Sequence, residues 1–251
     1  MRINFPAAIT NSTLSGNNAK VDGGGALFLG DNIGLYNVTV TGNQADSDFN
    51  GSGTGGGIYA YVGSSVTFTN SIVAGNLETI AFLGGYTSTA GDCSGNLISG
   101  GHDLVENFDT TQCTITGPYL LNDPVLGPLQ MNGGSLPTHA LLAGSPAINA
   151  GTPEPTGCHD AVGGKLLADQ RGAHRPAGSA CDIGAYEYAA NGDVNGDGVR
   201  TVADVFYLIN FLFAGGQPPI GLGDMNGDTK TDVADVFYLI NYLFAGGPAP
   251  K

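Results

Sequence analysis

The sequence predicts a mainly β protein: a right-handed parallel β-helix with a disulfide-stapled C-terminal cap, followed by a small α-helical domain. Three observations carry this expectation: a short repeat near the N-terminus, four cysteines in two local pairs, and an acidic repeat near the C-terminus. Composition agrees with it. Of 251 residues 42 are Gly, none is Trp and only 12% are charged, which suits short strands joined by tight turns. The 41% hydrophobic content is enough for a packed core. With 22 acidic against 8 basic residues the formal charge is −14, so double-stranded nucleic acid and anionic membranes are repelled. No apolar run approaches ~18 residues, so no segment is expected to cross a bilayer as a helix.

Residues 1–120 are expected to form the coils. Asn11-Ser12-Thr13-Leu14-Ser15-Gly16-Asn17 recurs as Asn37-Val38-Thr39-Val40-Thr41-Gly42-Asn43 and as Asn70-Ser71-Ile72-Val73-Ala74-Gly75-Asn76. Between the copies stand Gly23-Gly24-Gly25 and Gly55-Gly56-Gly57, each leading into an apolar run. The stretch from Ser47 to Thr54 reads as a loop leaving one turn. A unit of this size cannot bury its own apolar residues, but a stacked neighbour completes the core. Leu14, Val40 and Val73 should therefore stack inward. The rows Asn17/Asn43/Asn76 and Asn11/Asn37/Asn70 should stand at corners, where Asn tolerates left-handed backbone and registered amides can bond from coil to coil. Asn11 and Asn37 also match the Asn-x-Thr acceptor, which the repeat itself explains. Residues 1–30 lack a charged segment followed by an apolar one. Met1 is thus expected to mark a mature or truncated start, with further coils before it or another chain stacked end to end on the open coil.

Cys93/Cys113 and Cys158/Cys181 lack the close spacing of a zinc site. Two local disulfides, each closing about 20 residues and contributing about 3 kcal/mol, are the simpler reading, and they imply an oxidising, extracellular setting. Residues 121–188 are expected to close the coils. Here follow Asp123-Pro124-Val125-Leu126-Gly127-Pro128-Leu129, then Asn132 to Leu142, Gly144-Ser145-Pro146-Ala147-Ile148-Asn149-Ala150-Gly151, Asp169-Gln170-Arg171-Gly172 and Cys181-Asp182-Ile183-Gly184-Ala185-Tyr186-Glu187. This ordered set, over roughly residues 90–188, resembles the choice-of-anchor Q family of secreted bacterial proteins. The resemblance implies a β-helix body followed by a surface-attachment module, and no enzymatic activity. Arg171 is expected to pair with Asp182 or Glu187 inside the cap.

After Tyr188-Ala189-Ala190-Asn191 the acidic repeat occupies residues 189–251. Its copies start at Asp193 and Asp224. Each is a twelve-residue loop with oxygen side chains at positions 1, 3, 5, 9 and 12, and position 7 offers the carbonyl of Val199 or Lys230. That is calcium spacing, because a large hard cation takes six to eight oxygens from a wrapped loop. Each loop leads into a nearly identical apolar segment, from Val205 and from Val236, that stops at Ala-Gly-Gly. An Asp closing each loop, with a helix after it and none before, resembles a type I dockerin over about residues 192–247. The resemblance implies two structural Ca2+ ions. Their ligands would be Asp193, Asn195, Asp197, Val199, Thr201 and Asp204, then Asp224, Asn226, Asp228, Lys230, Asp232 and Asp235. It also implies a cohesin-like partner and a secreted, bacterial cell-surface setting. Thr229 stands where the first loop has Gly198, at a cost of about 1–2 kcal/mol if the turn is left-handed. The helices are apolar on nearly all sides, so their uncovered Phe, Tyr and Leu should dock on a partner or on the body.

For the body, the sequence favours adhesion, scaffolding or polysaccharide binding. The alternative is a polysaccharide-degrading enzyme: a glycoside hydrolase needs paired carboxylates, and a lyase fits less well, since residues 1–110 hold only Arg2 and Lys20 as cations. Asp46, Asp48, Asp92, Asp103, Glu106 and Asp109 are scattered in loops, and His102, His139, His159 and His174 show no metal spacing. No catalytic residue is assigned from the sequence.

Overall fold

The computed structural model describes residues 1–189, 191–221 and 223–250; Ala190, within the expected junction, lies outside them. Eleven strands pair in parallel as one sheet system: Arg2–Ile3, Ala7–Ser15, Ala26–Phe28, Ile33–Thr41, Ile58–Ala60, Val66–Thr69, Ile72–Ala74, Cys93–Ser99, Asp103–Val105, Cys113–Thr116 and Tyr119–Leu121. Partners lie one sequence repeat apart. Leu14 faces Val40, and Val40 faces Val73. Val40 and Val73 are fully buried and Leu14 packs against them, together with Phe28, Ile33, Leu35, Val66, Phe68 and Leu97. Two antiparallel hairpins, Leu77–Phe82 with Gly85–Ala90 and Leu126–Gln130 with Thr138–Leu141, complete the β structure.

The first asparagine row forms a ladder. The Asn17 amide donates to Asn43 Oδ1 (2.8 Å), Asn43 to Asn76 Oδ1 (2.9 Å), and Asn76 to Asp92 Oδ1 (2.8 Å). Each backbone N–H repeats the bond to the same oxygen. Asp92 therefore ends the row as a pure acceptor, its second oxygen taking the Asn107 N–H. The glycine triplets follow from this packing: a Cβ on Gly25 would lie 2.7 Å from the Gly57 carbonyl and 3.0 Å from the Asn43 amide, and one on Gly57 would lie 2.5 Å from the Asp92 carbonyl.

The second row differs from the expected ladder. Asn11, Asn37 and Asn70 take left-handed backbone (φ 45°, 57° and 51°), but their amides turn away from one another. They donate to Ala168 O, His159 O and Thr152 Oγ1. Residues of the 126–188 stretch are thus bonded along the flank of the parallel strands, whereas the sequence predicts that this stretch closes their end. The physical reason is that Ile72, Ala74 and Leu104 point outward from their strands and need cover. They form a second apolar core with Leu141, Ala147, Ile183 and Tyr186. Arg175, fully buried, binds this layer to the coils through Asn37 Oδ1 (3.1 Å) and its own layer through Gly184 O (2.9 Å), and it pairs with Glu187 (3.3 Å).

Both disulfides have the expected pairing. Cys93–Cys113 joins neighbouring parallel strands, and Cys158–Cys181 lies buried in the flank layer beside Arg175. Arg171 is corrected: it pairs with Asp169 (2.8 Å), two residues away, and reaches only the backbone carbonyl of Glu187 (2.6 Å). Two helices, α1 (Val202–Ala214) and α2 (Val233–Ala245), follow the flank layer. No described helix is long and apolar enough to cross a membrane.

Candidate metal centre

The two acidic loops share one wiring pattern, with one further bond in the second, from the Gly227 N–H to Asp224 Oδ1 (2.7 Å). Asp193 accepts the N–H groups of Asp197 (3.0 Å) and Gly198 (2.9 Å), and Asp224 those of Asp228 (3.2 Å) and Thr229 (2.8 Å). Asn195 accepts from Asp197, and Asn226 from Asp228. Asp197 accepts from Val199, and Asp228 from Lys230. The closing carboxylates are fully buried. Asp204 takes Val194, Asn195 and Thr201 N–H groups, and Asp235 takes Met225, Asn226 and Asp232. Each closing Asp is thereby also the reciprocal member of a capping box: Thr201 and Asp232 are the N-caps of α1 and α2, accepting from Ala203 and Ala234. The loop and the helix start are one hydrogen-bonded unit.

Two features tie the unit together. Val194, Val205, Leu208, Met225, Val236 and Leu239 bury a small common core. Gly215 and Gly246 end the helices in left-handed backbone (φ 71° and 69°). Thr229 sits at φ 72° where its counterpart Gly198 sits at 88°, so the left-handed turn expected there is present.

Asp193 and Asp204 are both held above the ordinary carboxylate range, first by burial. The neighbouring Asp204 and Asp197 charges raise Asp193 further, and Asp197 does the same to Asp204. The carboxylates of the first loop therefore repel one another across a short gap. Among the described residues, no three His, Cys, Asp or Glu side chains already converge on one point that would hold an ion; the loop carboxylates are aimed at backbone N–H groups instead. The donor chemistry of both loops is oxygen only, which fits a hard divalent cation.

Residues 191–244 match the dockerin type I domain family.

This match covers the dockerin tail alone. No curated protein and no solved structure matches the chain. On the dockerin tail one face of each helix stays uncovered: Phe206 and Phe213 are 65% and 68% exposed, and Phe237 and Phe244 likewise 65% and 68%. The tail also touches the flank layer. The Arg171 guanidinium donates to Ile220 O (2.6 Å) and Asn132 O (3.0 Å) and lies over the Tyr186 ring at 3.6 Å, while the His174 N–H donates to Gly196 O (2.6 Å).

Of the carboxylates considered for hydrolysis, Asp46, Asp92, Asp103 and Asp109 hold backbone or side-chain donors of the body. Asp46 holds the Asn50 and Gly51 N–H groups, Asp103 holds Ser71 N–H and the Ser99 hydroxyl, and exposed Asp109 holds Thr111. Burial pushes Asp92 up to about 6 and Asp103 well above its ordinary value. Asp48 is exposed. Sequence reasoning missed Asp92 as the ladder end because an Asp interrupts the asparagine pattern, and it missed Asp169 because an adjacent pair is easily overlooked beside two longer-range candidates.

Proposed function

We propose that this is a secreted protein of the bacterial cell surface whose dockerin tail folds around two structural Ca2+ ions and plugs the body into a cohesin-like partner. In this reading the chain divides into β-helix coils (1–120), a choice-of-anchor Q-like layer (121–188) and the tail (189–251), and the body serves adhesion, scaffolding or polysaccharide binding. The observation that carries the reading is the duplicated, similarly wired loop-and-helix unit inside the dockerin match. Type I dockerins bind calcium and dock on cohesins. Here Asp193, Asn195, Asp197, Thr201 and Asp204, with the Val199 carbonyl, would hold one ion. Asp224, Asn226, Asp228, Asp232 and Asp235, with the Lys230 carbonyl, would hold the other.

When bound, calcium supplies the positive charge that the mutually repelling loop carboxylates lack. This chain's own residues do the rest: Asp204 and Asp235 fix the loop to the helix N-terminus, and the core around Leu208 and Leu239 sets the helices side by side. The paired exposed stripes, Val202, Phe206 and Phe213 on α1 and Val233, Phe237 and Phe244 on α2, give a partner two equivalent apolar faces.

The test is calorimetric titration of the calcium-loaded chain with a type I cohesin. Phe206→Asp or Phe237→Asp alone is expected to leave binding nearly intact, because the other face remains, and the double variant is expected to lose it. Equal loss in one single variant overturns the two-face reading. No binding with any cohesin tried, by a chain that does take up calcium, overturns the partner assignment.

A further inference from the structure

Where the flank layer meets the strand Ala7–Ser15, a serine and a histidine from distant stretches of chain come together. Ser15 ends the strand Ala7–Ser15, which among the described residues pairs with Ile33–Thr41, and its side chain is partly exposed. The Ser15 hydroxyl lies 2.7 Å from Nε2 of His139, and Nδ1 of the same ring lies 2.7 Å from the Gly127 carbonyl. A carbonyl can only accept, so the neutral ring carries its proton on Nδ1. The Nε2 lone pair then faces Ser15, and the hydroxyl must donate to it. This is the polarity a general base needs toward a nucleophile: the base is hydrogen-bonded to the hydroxyl and oriented by a third group.

A further polar group lines the same cleft as Ser15. Thr13, two residues before Ser15 and so on the same face of the strand, donates to Gln170 Oε1 at 2.6 Å. A hydroxyl can donate or accept, so that bond alone does not orient the Gln170 amide; the Pro137 carbonyl, an acceptor only, sets its nitrogen end. Gln170 Nε2 is left with a 3.5 Å approach to the Pro137 carbonyl, the long limit of a hydrogen bond. Ser15, Thr13 and Gln170 line an open cleft of about 230 Å3 together with Leu129, Leu136 and Pro137. Leu129 and Leu136 are exposed, giving the cleft a small apolar wall.

We propose that Ser15 and His139 form a hydrolytic site for short-chain carboxylic esters, in a cleft that Gln170 also lines. Ser15 Oγ attacks the ester carbonyl while its proton passes to His139 Nε2. The carbonyl oxygen becomes an oxyanion in the cleft that Gln170 also lines. The C–O bond to the alcohol breaks, and the alcohol leaves with the proton from His139. Water then attacks the Ser15 acyl ester, giving its proton to His139, and the acid departs as Ser15 regains a proton. The cleft volume and the leucine wall suit an acyl group of a few carbons. This goes beyond the docking role of the tail and does not depend on it.

The experiment uses the full chain in calcium, with p-nitrophenyl acetate and p-nitrophenyl butyrate as substrates and a fluorophosphonate as the trapping probe. The expected result is turnover of both esters, with the phosphonyl adduct mapped by mass spectrometry to Ser15. Ser15→Ala is expected to abolish the adduct and lower turnover at least about 100-fold, and His139→Gln to lower both rates similarly. Ser12→Ala, whose hydroxyl only meets the Thr10 carbonyl, is expected to change neither. Labelling of native chain no faster than of urea-unfolded chain overturns the proposal without reference to any variant. Turnover unchanged by Ser15→Ala, in protein whose far-UV spectrum is unaltered, overturns it as well. A melting temperature lowered by Ser15→Ala with no adduct in the parent chain assigns the contact to holding the flank layer on the coils.

Discussion

Replacing Asn43 with Ala is expected to be among the most damaging small changes in the body. Its buried amide donates to Leu14 O (2.9 Å), Thr41 O (3.1 Å) and Asn76 Oδ1 (2.9 Å), and its oxygen accepts from Asn17 N (3.0 Å) and Asn17 Nδ2 (2.8 Å). Gly25 packs so tightly that a Cβ there would lie 3.0 Å from this amide, which leaves little room for water to replace it. A net loss of about 1 kcal/mol per bond, with about 1–3 kcal/mol for a buried partner left unpaired, puts the cost at roughly 3–5 kcal/mol. Asn17→Ala removes the exposed end of the same ladder and should cost less than about 1 kcal/mol. The assay is urea unfolding in calcium, followed by strand circular dichroism and by tyrosine fluorescence, since the chain has no Trp. The midpoint for Asn43→Ala should fall with an unchanged slope. Costs for the two variants within about 1 kcal/mol of each other would refute the ladder as a source of stability.

Other expectations follow from single contacts. Asp92 is raised by burial from its ordinary 3.8 to about 6, so the folded chain holds this proton more tightly than the unfolded one. Its contribution is fully present below about pH 4 and is lost as pH rises through 6, about 3 kcal/mol in all; Asp92→Asn should flatten the stability profile between pH 4 and 7, measured by denaturant midpoints. Thr229→Gly should stabilise the second loop by about 1 kcal/mol by relieving the left-handed backbone, seen as tighter calcium binding at one of two sites by calorimetry. Arg171→Met strands the buried Asp169 carboxylate and should cost about 3–5 kcal/mol by thermal melting, with Asp169→Asn in the same chain recovering part of it.

The stacking order of the strands was legible because the repeat is a physical period: residues that recur at one position must pair one coil away. Leu14, Val40 and Val73 align as the repeat implies, and both cysteine pairs were legible from spacing alone. The duplication of the acidic loop and the helix after each copy were legible from the repeat, while the bonds of the loop carboxylates to backbone N–H groups were not, because the sequence spacing speaks only of oxygen donors. The flank layer was not legible. Its bonds to Asn11, Asn37 and Thr13 span 157, 122 and 157 residues, and nothing local in either partner announces the other. The two asparagine rows look alike in sequence yet differ in role, because one faces its own neighbours and the other faces the layer. The Ser15–His139 contact, 124 residues apart, belongs to the same class.

The most direct test of calcium-dependent folding of the tail is hydrogen exchange on the full chain, with calcium and with a chelator. In the chelator, amides of Val202–Ala214 and Val233–Ala245 are expected to lose most of their protection, while those of Ile33–Thr41 and Ile72–Ala74 keep theirs. Equal protection of both helices with and without calcium would contradict the account.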